Sequence, residues 1–154
     1  MKQIIIGISV LLLATAANAD GPRMSTVPAI VKQECAACHI VYPPQFLPKQ
    51  SWVNILNNLD KHFGTDASLD AKTVKNVSDW IMQDAGTYKR VMNVKKLPTD
   101  DRLTTSVWFR QKHDKDIAPE VWKRASIKTP ANCIACHSGA DTGDYSERGI
   151  RIPK

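Results

Sequence analysis

Only four cysteines and four histidines occur among the 154 residues. After the first residues there is no further apolar run long enough to span a bilayer. Few segments alternate between apolar and polar residues, which argues against a sheet protein. Nor is there a consolidated block of basic residues. Lys and Arg are interleaved with Asp and Glu, so the net charge of +6 is a poor argument for nucleic-acid binding. Apolar side chains are too few for two independent cores in a chain of this size.

What is present begins with an N-terminal address. Lys2 supplies a short positive start, Ile4 to Ala14 is a nearly continuous apolar run, and Ala17-Asn18-Ala19 is a small-x-small cleavage signal. This predicts a secretory signal peptide over residues 1–19, with cleavage after Ala19 and a periplasmic destination. An uncleaved anchor fits less well, because the run is short for a membrane span.

All four cysteines fall in two identical patterns, Cys35-Ala36-Ala37-Cys38-His39 and Cys133-Ile134-Ala135-Cys136-His137. Two thiols separated by two residues can add to the two vinyl groups on one edge of a haem. The histidine that follows is then held under the iron as an axial ligand. The chemistry expected is therefore two covalently bound haem c groups, with thioethers at Cys35, Cys38, Cys133 and Cys136. Two buried macrocycles would also supply much of the missing apolar bulk. Zinc needs no histidine directly after each pair, and these pairs lie far apart. Disulfides closing two-residue loops are strained. The carboxylates of two haems bring the charge of the mature protein close to zero.

With His39 and His137 used, His62 and His113 remain, and two haems need two further axial ligands. His62 lies 23 residues after His39, and His113 lies 24 residues before His137. Each falls on the apolar face of a predicted helix. The count predicts bis-histidine irons with His39, His62, His113 and His137 as ligands. Methionine at one iron is the rival, from Met82 or Met92, and it would raise the reduction potential. Local pairing puts His62 on the first haem and His113 on the second; crossed pairing is equally open to the sequence. The Tyr42-Pro43-Pro44 turn is a candidate to bring a carbonyl to the second nitrogen of His39.

The fold class expected is mostly α with extensive irregular loops, in two small haem-binding lobes of cytochrome c type. The N-terminal lobe is placed at 20–90, a linker at 91–103 and the C-terminal lobe at 104–154. Residues 20–34 read as extended. A helix is predicted from Ser51, its cap, to a stop at Gly64. A second runs from Leu69 to Ala85, capped by Ser68 and striped with Val74, Val77 and Ile81. A third spans Thr105 to His113 with Thr104 as its cap, and Pro119 opens a turn through Trp122. Trp52, Trp80 and Trp108 are evenly spaced, but their neighbours do not match and no repeat is inferred. Lys89, Arg90, Lys95 and Lys96 form the densest basic cluster, read as a solvated linker ahead of a docking patch.

From Glu34 onward the chain resembles the periplasmic dihaem cytochromes c called DHC. The resemblance is carried by Cys35-Ala-Ala-Cys-His39 with Tyr42-Pro43-Pro44, Ser51-Trp52, His62-Phe63-Gly64 with Asp66-Ala67-Ser68, Phe109-Arg110-x-x-His113, and Cys133-Ile-Ala-Cys-His137 before Gly139-Ala140. It implies a two-lobed electron-transfer protein with bis-histidine irons. It also implies other cytochromes as partners: an oxygen-binding monohaem cytochrome c and a membrane cytochrome b, with peripheral membrane contact and no nucleic acid. An electron carrier, and not an enzyme, is the function expected. The alternatives are a small electron-transfer subunit of a periplasmic reductase and a dihaem peroxidase, which needs an open iron.

Overall fold

Prolines set where the first helices begin. In the computed structural model, which describes residues 24–154, Pro28 stands immediately before α1 (Ala29–Cys35) and Pro48 immediately before α2 (Lys49–Leu56). A proline suits a helix entrance, where its missing N–H leaves no bond unmade. The signal peptide and its cleavage site lie outside the described residues. The stretch expected to be extended turns helical at Ala29, because Val31 is drawn into the core at 1% exposure.

α2 starts two residues before Ser51, which is buried within it, and ends at Leu56 instead of Gly64. A 3-10 turn over Leu59–Lys61 follows. α3 (Ala71–Asp84) is capped by Asp70, whose carboxylate accepts from the N–H groups of Lys72 at 3.0 Å and Thr73 at 3.1 Å. A carboxylate here satisfies two N–H groups that have no intrahelical partner. Ser68, the expected cap, instead donates its N–H to Asp66 at 2.9 Å. α4 (Val107–His113) is capped by Ser106, whose hydroxyl accepts from the Phe109 N–H at 3.3 Å; Thr104 sits in the 3-10 turn before it. Further 3-10 turns cover Val121–Lys123 and Cys133–Ala135. Among the described residues there is no strand, only isolated bridges between His62 and Thr65 and between His137 and Ile150. The architecture is mostly helical with long irregular connections, as expected.

The apolar residues gather into two clusters. The first joins Val31, Leu47, Trp52, Val77, Trp80, Ile81 and Ala85, and so locks α1, α2 and α3 together. The indole of Trp52 donates to the Pro44 carbonyl at 2.8 Å, which satisfies its N–H inside this core. The second joins Phe46, Val91, Trp108 and Phe109, edged by Tyr88, Trp122 and Tyr145. Each large side chain buried in this way contributes about 1.5–3 kcal/mol. This cluster draws on both ends of the chain. Trp108 donates to the Phe46 carbonyl at 3.1 Å, and the Phe46 ring meets Tyr145 at 5.0 Å. Tyr42 extends the connection by donating its hydroxyl to the Ala131 carbonyl at 2.7 Å.

Candidate metal centres

The four histidines are presented by four different local structures. His39 follows the turn that ends α1, and its Nδ1 lies 2.6 Å from the Ile40 carbonyl. A carbonyl only accepts, so Nδ1 carries the hydrogen and the Nε2 lone pair is free for a metal. The acceptor is Ile40, not the Tyr42-Pro43-Pro44 turn. Tyr42 lays its ring against the imidazole instead, with centres 4.8 Å apart and planes 22° apart. His62 is not on a helix. It opens a tight turn in which the Thr65 N–H donates to the His62 carbonyl at 3.0 Å, while Phe63 and Gly64 take φ values of 51° and 97°. Glycine reaches that region without strain, which explains Gly64 at this place.

His113 is the last residue of α4. Its Nδ1 lies 2.7 Å from the Phe109 carbonyl, one turn back, and its ring packs 4.0 Å from that of Phe109. By the same logic as for His39, its Nε2 is free. His137 follows the 3-10 turn of the second motif. The pairing of the Arg151 N–H with the Cys136 carbonyl at 2.9 Å holds it against the C-terminal segment.

These elements bring the histidines together in two pairs. The rings of His39 and His62 have centres 6.1 Å apart and planes 25° apart. Those of His113 and His137 are 6.3 Å apart with planes at 79°. Two imidazoles on opposite sides of one metal, with bonds of about 2.0 Å and a further ~1.15 Å from nitrogen to ring centre, have centres about 6.3 Å apart. The side chains thus fall into two local pairs, His39 with His62 and His113 with His137, each spaced so that its two imidazoles could share one metal. Met82 packs against the first core cluster and Met92 is exposed. Among the described residues, no three His, Cys, Asp or Glu side chains converge as a zinc site would require. None of the four cysteines is joined to another in a disulfide.

Burial and mutual repulsion mark both pairs electrostatically. Burial lowers the His62 pKa, aided by His39 and by the Arg102 guanidinium. Burial likewise lowers that of His137, with His113 acting in the same sense and Asp144 opposing. Neutral imidazole is the form that ligates a metal, so both shifts favour ligation. Burial raises the thiols of Cys35, with Glu34 adding to it, and of Cys136. It pushes Cys133 up to about 11, against a smaller opposing contribution from its own backbone N–H.

Three neighbours of these pairs carried no sequence signal of their role. Tyr42 touches His39 with its ring and the approach to Cys133 with its hydroxyl. Arg102 stands over the Phe63 ring at 4.3 Å. Asp144 returns to the second motif, its N–H donating to the Gly139 carbonyl at 2.8 Å. The Tyr42–Ala131 and Arg102–Phe63 contacts depend on long-range folding, and the Asp144 contact on a loop that spacing does not encode.

Comparison with known proteins supplies an independent line. The family described as dihaem cytochrome c matches residues 31–145. Among solved structures, a diheme cytochrome c from Rhodobacter sphaeroides is 30% identical, covers 83% of this chain and 99% of its own, and superposes with a TM-score of 0.68. The diheme cytochrome c of Shewanella baltica OS155 is 28% identical, covers 82% of this chain and 95% of its own, and gives a TM-score of 0.69. No curated protein sequence matches the chain.

Proposed function

The chain belongs to the dihaem cytochrome c family and carries two covalently attached haem c groups, and from that premise we propose that it is a one-electron carrier whose two irons are each closed by a pair of histidines. His39 with His62 serves the N-terminal centre and His113 with His137 the C-terminal one. Cys35 with Cys38, and Cys133 with Cys136, hold the thioethers. The observation that carries this reading is the presence of two separate imidazole pairs at 6.1 and 6.3 Å.

Each bound haem supplies an iron that gains or loses one electron. The residues do the rest. Ile40 and Phe109 fix the tautomers of His39 and His113, so that the Nε2 lone pair is left free for a metal. If each histidine pair held its iron from both sides, no position would remain for a substrate or peroxide, which is why a carrier is favoured over an enzyme. Among the described residues no helix is long and apolar enough to cross a membrane. Covalent haem attachment and the leader-like N-terminus support a periplasmic setting. There the protein passes electrons between a membrane cytochrome b and an oxygen-binding monohaem cytochrome c, the partners implied by the DHC resemblance.

Replacing His62 or His113 by Ala tests the ligand set. Each variant is expected to turn one of the two haems high-spin and able to bind carbon monoxide in the ferrous state, with the other unchanged. Fully low-spin spectra in both variants would refute the assignment.

A further inference from the structure

Residues 88–99, which separate the two histidine pairs in the sequence, fold onto the second core cluster. The Val91 and Met92 N–H groups donate to the Tyr88 carbonyl at 2.7 and 3.0 Å, and the Val94 N–H donates to the Val91 carbonyl at 3.0 Å. These turns fix Val91 in the cluster, where it is buried. Between this segment and the start of α4 lies a groove of about 130 Å³. Val91, Val94, Leu97, Pro98 and Val107 line it, and Trp108, buried in the core, closes its base. Leu97 and Val107 are left open to solvent. Apolar side chains grouped around a concavity mark a contact surface, as singly exposed ones do not.

The charge around the groove is of one sign. Lys96 belongs to its lining, and the exposed Arg90 and Lys95 adjoin Val91 and Val94 in the chain. From Ala85 to Thr99 the sequence holds four basic residues and no carboxylate. Among the described residues, Arg90, Lys95 and Lys96 form no ion pair, whereas Lys75 meets Asp79 at 2.6 Å and Lys112 meets Glu147 at 2.9 Å.

The base of the groove leads to one centre. The Trp108 ring meets Phe109 at 6.1 Å, and Phe109 stacks on His113 at 4.0 Å. On its other side Trp108 meets Phe46 at 4.8 Å, Phe46 meets Tyr145 at 5.0 Å, and Tyr145 meets His137 at 5.6 Å. Unbroken ring contacts thus run from the groove to both histidines of the C-terminal pair.

We propose that this groove is the docking site of an acidic electron-transfer protein, which seats an apolar side chain against Trp108 and presents carboxylates to Arg90, Lys95 and Lys96. An apolar centre supplies contact, and a charged rim supplies steering and orientation. Electron-transfer encounters bury less than about 1,200 Å² in all, so a small patch suffices. A groove that recedes to Trp108 suits an inserted side chain, whereas a lipid surface takes up apolar groups that project from a helix face. A partner seated there exchanges its electron beside His113 and His137. This rests on the carrier reading proposed above.

The test is stopped-flow reduction of the ferric holoprotein by pre-reduced plant-type 2Fe–2S ferredoxin, an acidic low-potential donor that gives up one electron as one haem iron gains it. The apparent Kd is read from the saturation of the rate with ferredoxin concentration. In the parent protein it is expected to rise steeply with salt. Lys96→Glu should raise it about tenfold at low salt. Val107→Ser, which leaves the charge unchanged, should raise it about fivefold. Lys72→Glu, the same charge change on an exposed face of α3, should stay within about twofold of the parent. Both Lys96 and Val107 are exposed, so neither substitution opens the core. Equal effects of Lys96→Glu and Lys72→Glu, or no effect of Val107→Ser, would overturn the proposal. So would sedimentation of the parent with phosphatidylglycerol vesicles that Lys96→Glu abolishes while the ferredoxin Kd stays unchanged, which would make this a membrane-facing patch. Failure of the carrier reading has a separate signature, carbon monoxide binding by the ferrous parent protein before any ferredoxin is added.

Discussion

Replacing Tyr42 by Phe removes a single oxygen and leaves the ring against His39. That oxygen donates at 2.7 Å to the carbonyl of Ala131, 89 residues away in the chain, and so ties the first histidine's neighbourhood to the approach of the second motif. A hydrogen bond of this kind contributes about 0.5–1.5 kcal/mol net, and more if its loss strands a buried acceptor. Here the acceptor is not stranded, because Ala131 is half-buried and its carbonyl also accepts from the Cys133 N–H at 3.0 Å. The expected cost is therefore about 1 kcal/mol, or a fall in Tm of roughly 3–5 °C for a protein of this size. Thermal unfolding of the holoprotein, followed by circular dichroism, measures it. Tyr42→Leu should cost about 1 kcal/mol more, because it also strips the ring from the face of His39 at 4.8 Å. A Tyr42→Phe protein as stable as its parent would show that the hydroxyl contributes nothing to joining these segments.

Three other perturbations probe the scaffold. Ser106→Ala removes the cap of the helix that ends in His113 and should cost about 1 kcal/mol, read from the denaturant midpoint. Gly86→Ala should destabilise by about 1–2 kcal/mol, because φ is 74° there and the new Cβ would meet the Pro48 backbone at 3.4 Å; Gly64→Ala, with open space around its Cβ, should cost less by the same measurement. Asp66 and Asp70 are held below the usual carboxylate pKa, chiefly by hydrogen bonds from Ser68 and Thr73 respectively. Their folded values lie below their unfolded ones, so their stabilisation is complete above about pH 4 and is lost as pH falls through the folded values. Asp70→Asn keeps a capping oxygen but should flatten that acid limb, as seen in stability measured between about pH 5 and pH 2.

Helices driven by apolar period were legible, and their ends less so. The stripe through Val77 and Ile81 fell where α3 lies, with Trp80 added to its buried face. The starts went astray because several residues compete for each cap. Ser68 and Asp70 both fit the pattern, and only the backbone decides that Asp70 meets the N–H groups of Lys72 and Thr73. α1 was missed because it is seven residues long, only about two turns, and is held chiefly by Val31 in a core built from α2 and α3. The helix predicted to carry His62 stops at Leu56, and the apolar spacing beyond it belongs to a 3-10 turn and a positive-φ turn.

The candidate centres show why motif reading stops where it does. Local chemistry places two thiols and a histidine within five residues, and a count of histidines nominates the other two candidates. Neither says which histidine meets which motif, since separations of 23 and 24 residues are nearly symmetrical. The pairing comes from tertiary structure: a tight turn aims His62 at His39, and the Ser106-capped helix aims His113 at His137. Charged neighbours of the pairs also come from outside the motifs. Arg102 comes from the segment joining the two core clusters, yet it acts on the first centre. Asp144 follows the second motif but reaches His137 only because the chain doubles back through Gly139. Attachment is thus written in contiguous residues, while the pairing of the histidines is written in contacts made only once the chain has folded.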